Sequence, residues 1–79
     1  MLEELKQGDR LVGAKQTRRA LKDGRAKKLF IAKDADPHLL QPLVQEAVRT
    51  GVRVEQADTM KELGAACGIA VGAAVAVLV

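Results

Sequence analysis

Residues 28–37 read Lys28-Leu29-Phe30-Ile31-Ala32-Lys33-Asp34-Ala35-Asp36-Pro37. The apolar run Leu29–Ala32 is short and bounded by charge, which fits a strand buried on both faces. Asp36 then offers an oxygen to the first N–H groups of a helix, and Pro37 suits the first helical position, so a helix begins there. Leu39, Leu40, Leu43, Val44, Ala47 and Val48 recur at three- and four-residue spacing and make one broad apolar face. Pro42 falls early in that helix, and either displaces its start or leaves a loose first turn. Gly51 ends it. A buried strand running directly into an amphipathic helix is the first half of a crossover unit, which sets the fold class as α/β.

The same alternation continues outward. Val52 to Ala57 alternates, with Val52, Val54 and Gln56 on one side and Arg53 and Glu55 on the other, as in a strand with one polar face. Asp58-Thr59 caps a short helix, and Thr59-Met60-Lys61-Glu62 has the form of a capping box. Leu63 to Ala66 finishes that helix, Cys67 to Gly72 is an apolar loop with two glycines, and Ala73 to Val79 reads as a last apolar strand. Toward the N-terminus, Asp23-Gly24 closes a helix of good helix formers, Lys15 to Lys22, opened by Gly13. Leu11-Val12 makes no more than a small strand. Leu2, Leu5 and Leu11 give a weak helical stripe that Gly8-Asp9 interrupts. The expected architecture is a three-layer α/β/α sandwich around a small mixed four-stranded sheet, with residues 1–79 forming a single domain.

Composition narrows the function. One aromatic residue, Phe30, stands among 79 residues, with no Trp or Tyr, which argues against base-stacking platforms and aromatic-anchored interfaces. The lone Cys67 and lone His38 exclude a disulfide framework and the usual zinc sites. Cys67 has apolar neighbours and no nearby cation in the sequence, so it reads as a buried inert thiol. His38 reads as a first-turn surface residue. Asp34 and Asp36, two apart, are weak metal ligands, and helix capping already accounts for Asp36. No Ser is present, and no nucleophile stands beside a base, so the chain is not expected to be an enzyme and needs no cofactor. The start lacks a signal-peptide pattern, and the chain is expected in the cytoplasm. Residues 64–79 carry no charge, and Gly64, Gly68 and Gly72 are spaced as in paired membrane helices. As a helix, though, this stretch would span only about 24 Å of a ~30 Å hydrocarbon core.

Charge supplies the positive signal. Lys and Arg number 13 against 10 Asp and Glu, a net +3. Lys15, Arg18, Arg19, Lys22, Arg25, Lys27 and Lys28 fall in one stretch opposed only by Asp23. A basic stripe next to a Gly-led helix start suits phosphate. Gly13-Ala14-Lys15-Gln16-Thr17 lacks the Gly-Lys-Ser/Thr order of a nucleotide-hydrolysing loop.

Read together, four pieces in order carry a resemblance. They are Gly13-Ala14-Lys15-Gln16-Thr17 with Arg19-Ala20-Leu21, Ile31 to Pro37, Lys61-Glu62-Leu63-Gly64, and Cys67 to Ala74. From Gly13 onward the chain resembles the kink-turn RNA-binding ribosomal-protein superfamily of the archaeal L-seven-Ae and L-thirty-e type, and is most similar to its small bacterial YbxF-type branch. The resemblance implies an α/β/α sandwich that binds duplex RNA sharply bent at an internal loop with sheared G·A pairs. Where the family has Gly-x-Asn-Glu-x-x-Lys, Gly13 matches, Lys15 and Gln16 replace Asn and Glu, and Arg19 replaces Lys. Gln16 then offers an acceptor and donors to a guanine edge, and Lys15 and Arg19 bring charge to phosphates and to guanine O6 and N7. Ile69, Ala70 and Val71 match the apolar loop that packs on a base flipped out of the bend, with Ala70 where the family often has Glu. Ala14, Lys22 and Lys33 complete the implied RNA-binding set. The implied partner is structured RNA, a kink-turn in ribosomal RNA or a riboswitch, with the ribosome as a further partner and the protein itself a monomer off the membrane. The departures at Lys15 and Ala70 leave an alternative, a protein-interaction module of the same fold with weak or lost RNA binding.

Overall fold

The computed structural model describes residues 2–79. Its elements are α1 (Glu3–Gln7), β1 (Arg10–Val12), α2 (Ala14–Lys22), β2 (Lys28–Ala32), α3 (Pro37–Arg49), β3 (Arg53–Ala57), α4 (Met60–Ala66) and β4 (Val75–Leu78). The four strands form one mixed sheet in the order β1-β4-β2-β3. β4 is antiparallel to both β1 and β2, and β2 and β3 run parallel on either side of α3. α2 and α3 pack together over one face of the sheet; α1 and α4 meet over the other. The expected sandwich is present.

Local chemistry places the elements. The Asp36 carboxylate accepts from the His38 N–H at 2.9 Å and caps α3, with Pro37 in its first turn. The Thr59 hydroxyl oxygen accepts from the Glu62 N–H at 3.1 Å and caps α4. β2 is buried along its apolar run: Leu29 and Phe30 are fully enclosed and Ile31 nearly so. Leu29 and Ile31 lie in register with Val77 and Val75, and Phe30 opposite Ala76, so the large ring sits beside a small neighbour. Burying such side chains contributes about 1.5–3 kcal/mol each.

Several expectations need correction. The broad apolar face of α3 is narrower than its spacing suggests: Leu40, Leu43 and Ala47 are buried, but Val48 is 69% exposed and Leu39 39% exposed. α3 rests on the sheet and α2 only along one stripe, and Val48 points away from both layers. The last strand begins at Val75, not Ala73, because the Ala73 N–H bonds to the Met60 carbonyl (2.9 Å) instead of joining the ladder. Leu11 and Val12 lie in the short strand β1, as expected, so Leu11 adds nothing to the stripe of the first helix. β3 begins at Arg53 and its polar side is not simply solvated. Glu55 is half-buried and bonded to Lys28 at 2.9 Å, while Ala57 on the same side is buried.

Candidate functional site

Three segments converge at one end of the sheet, where β1 and β2 finish and β4 begins. The Gly13 N–H donates to the Val75 carbonyl at 3.0 Å, which seats the start of α2 beside the start of β4. The Ala32 N–H donates to the Ala74 carbonyl at 2.9 Å, which brings the exit of β2, with Lys33, to the same end. The 67–74 loop joins α4 to β4 and so lies there as well.

Gly13 has φ +101° and ψ 156°, a combination essentially confined to glycine. Nothing lies within 4 Å of where its Cβ would stand, so conformation, not space, demands glycine. No side chain caps the first turn of α2 and no acidic residue stands in it. The positive end of the helix is therefore not neutralised by its own turn. Thr17, Ala20 and Leu21 form the buried stripe of α2, and Lys15, Gln16, Arg18, Arg19 and Lys22 are exposed. Beside them a groove of about 470 Å³ runs between α2 and α3, lined among others by Ala14, Lys15, Arg18, Leu39 and Pro42.

The loop is shaped by glycines. A Cβ on Gly64 would meet the Val71 carbonyl oxygen at 2.1 Å, and one on Gly72 would meet the Met60 Cβ at 3.1 Å. The Gly64-Gly68-Gly72 spacing thus lets the loop lie directly on α4, with Gly68 turning it at φ +77°. The outcome is an apolar tip facing solvent: Val71 is 71% exposed, Ile69 36%, and Ala70 is exposed too.

The sequence-derived set therefore gathers well. Gly13, Ala14, Lys15 and Gln16 stand at the start of α2, Arg19 and Lys22 in its last turn on the exposed side, and Ile69, Ala70 and Val71 on the loop. Lys33 is exposed at the same end of the sheet and pairs with Asp58 at 3.4 Å. The basic stripe is shorter than the sequence suggests. Lys28 leaves it, because its side chain is 12% exposed and bridges Glu4 at 2.5 Å and Glu55 at 2.9 Å. Those two bonds raise its pKa. Arg25 is paired with Asp23 at 3.6 Å. The sequence places Arg18 in the basic stretch and Leu39 and Pro42 in a helix, but none of the three in the RNA-binding set, although Arg18 stands three residues from Lys15 and so shares its helix face. Cys67 is buried, and burial pushes its thiol pKa up. A cation does stand near it: the Arg10 Nε donates to its carbonyl. Asp34 accepts a backbone bond from Met60. No group of three or more metal-binding side chains occurs among the described residues, and no helix is long and apolar enough to cross a membrane.

Exposed amide and cationic groups beside a protruding apolar tip can bind a polyanion with extruded apolar parts. The Ribosomal protein L7Ae/L30e/S12e/Gadd45 family matches residues 2–79. The chain belongs to this family. An RNA-binding protein of Geobacillus sp. (strain WCH70) is 44% identical over 75 residues, covering 95% of this chain and 92% of that protein. The RNA-binding protein YbxF of Geobacillus stearothermophilus is 44% identical over 70 residues, covering 89% and 85%. Among solved structures, the Giardia lamblia 15.5kD RNA binding protein superposes with a TM-score of 0.91 at 28% identity, covering 98% of this chain and 68% of that one. These relatives are named for binding RNA, not for catalysis.

Proposed function

We propose that this family member binds structured RNA, and that its target is a kink-turn in ribosomal RNA or a riboswitch. The observation that carries the reading is the convergence, at one end of the sheet, of the Gly13-led basic start of α2 and the exposed apolar loop tip. A-form RNA hides its base edges in a deep, narrow groove. A sharp bend opens that groove to the start of α2 and turns a base outward. Gln16 then reads a guanine edge, while Lys15, Arg19, Lys22 and Lys33 take phosphates. Ile69, Ala70 and Val71 pack on the extruded base, and the groove walled by Leu39 and Pro42 offers a second apolar surface beside Lys15. An apolar tip in water has a purpose in such a contact. The relatives named as RNA-binding proteins support the same reading. Nothing in it requires a cofactor or a second copy of the chain, and it places the protein on cytoplasmic RNA, the ribosome included.

The test is a titration of three RNAs at one salt concentration: a kink-turn, the same RNA without its sheared G·A pairs, and a plain duplex. Preference for the first is expected. Equal affinity for all three would remove the kink-turn reading, and no affinity for any would favour the protein-interaction module.

A further inference from the structure

Two polar side chains reach the loop from distant parts of the chain. From β1, the Arg10 Nε donates to the Cys67 carbonyl at 2.9 Å, and its Nη2 lies 3.3 Å from where a Gly68 side chain would begin. Cys67 is where α4 ends and the loop starts, so the guanidinium also faces the negative end of that helix. From the β2–α3 turn, the Asp34 Oδ1 accepts from the Met60 N–H at 2.8 Å. Met60 opens α4, and its carbonyl accepts from the Ala73 N–H at 2.9 Å, while its Cβ underlies Gly72. Through this one residue the Asp34 carboxylate is joined to the loop's exit. Entry and exit are thus each fastened by a side chain that lies outside the loop, and the tip between them is exposed.

We infer that Arg10 and Asp34 are positioning residues, which clamp the 68–72 loop and hold Ile69 and Val71 in their binding arrangement before RNA arrives. The value of such a clamp is entropic: a loop already ordered loses less freedom on binding. The inference rests on the proposed role of the loop in packing on an extruded base.

The experiment compares Asp34→Ala, Asp34→Asn and Arg10→Gln with the unaltered protein. It reads amide hydrogen exchange at Ile69, Gly72 and Ala73 against the core amides of Phe30 and Val77, together with kink-turn affinity. Asp34→Ala and Arg10→Gln are expected to speed loop exchange and to lower affinity by about tenfold each, with core exchange little changed. Asp34→Asn keeps an oxygen acceptor for Met60 and is expected to restore both. The clamp is overturned if loop exchange stays at its original rate, if it rises only in step with the core, or if Asn fails to rescue. Should the unaltered protein not prefer a kink-turn, the RNA reading fails alone, because the exchange measurements still decide whether the loop is clamped.

Discussion

Gln16 and Arg19 lie one turn apart on the exposed side of α2, and their losses should differ in kind. A glutamine amide pairs with a base edge only where the groove is open. Gln16→Ala is therefore expected to cost about 1–3 kcal/mol on RNA containing the G·A pairs and little on plain duplex. Arg19→Ala should weaken both RNAs and flatten the salt dependence by about one unit of slope. Titrations of both RNAs at several salt concentrations check the pair. On the buried side of the same turn, Thr17 is fully enclosed and its hydroxyl oxygen has no hydrogen-bond partner. An unsatisfied buried hydroxyl costs roughly 1–3 kcal/mol, so the isosteric Thr17→Val should stabilise the protein by about 1 kcal/mol and raise the melting temperature by ~4–8 °C. Residues whose chemistry is local were legible in the sequence. Gly13 opening a helix and Asp36 and Thr59 capping depend only on their near neighbours. Arg10 and Asp34 were not, because Arg10 acts 57 positions away and Asp34 acts 26 away, and only the folded sheet brings them to α4.

Elements were legible where period and capping agreed, and less so where packing decided. The spacing of α3 showed a helix, but could not show that the neighbouring layers cover only one stripe and leave Val48 outside. The uncharged 64–79 stretch showed burial and glycines. That the glycines serve a loop lying on α4 required the contact between Gly64 and the Val71 carbonyl. The loop's placement yields a direct prediction. Val71→Asp puts a charge on an exposed tip, so stability should change by no more than about 0.5 kcal/mol while RNA binding falls sharply. A large drop in melting temperature would show instead that Val71 is a core residue. α1 offers a second test. It is tied across the sheet by Lys28, whose hydrogen bond holds the Glu4 carboxyl below its ordinary pKa. That contribution is present above the unfolded value of ~4.3 and is lost as pH falls through the lower folded value. For Lys28, raised by Glu4 and then Glu55, it is present below ~10.4 and lost as pH rises through the higher folded value. Melting temperature followed into acid should therefore fall less steeply for Glu4→Gln than for the unaltered protein.

At the scale of the whole molecule, placement of charge matters more than its sum. The net +3 is small, and the basic stretch read from sequence overstates what RNA can reach. Folding turns Lys28 inward to Glu4 and Glu55, and Arg25 pairs with Asp23. Lys15, Arg18, Arg19 and Lys22 remain exposed on α2. A chain pattern shows the run of basic residues, but only tertiary pairing shows which of them stay available. Four such cations can neutralise roughly four phosphates, and counterion release then makes binding weaken about 100-fold between 50 and 200 mM salt. The distribution makes a sharper claim than the total. Lys22→Ala should reduce the slope of affinity against salt by about one unit, because an exposed phosphate contact is lost. Lys28→Met removes the same formal charge but no contact with RNA, so it should leave that slope unchanged and instead lower the melting temperature by removing the bridge between Glu4 and Glu55. Slopes measured for the three proteins on one kink-turn decide the matter. An equal fall for both variants would mean that net charge, not the α2 surface, governs binding.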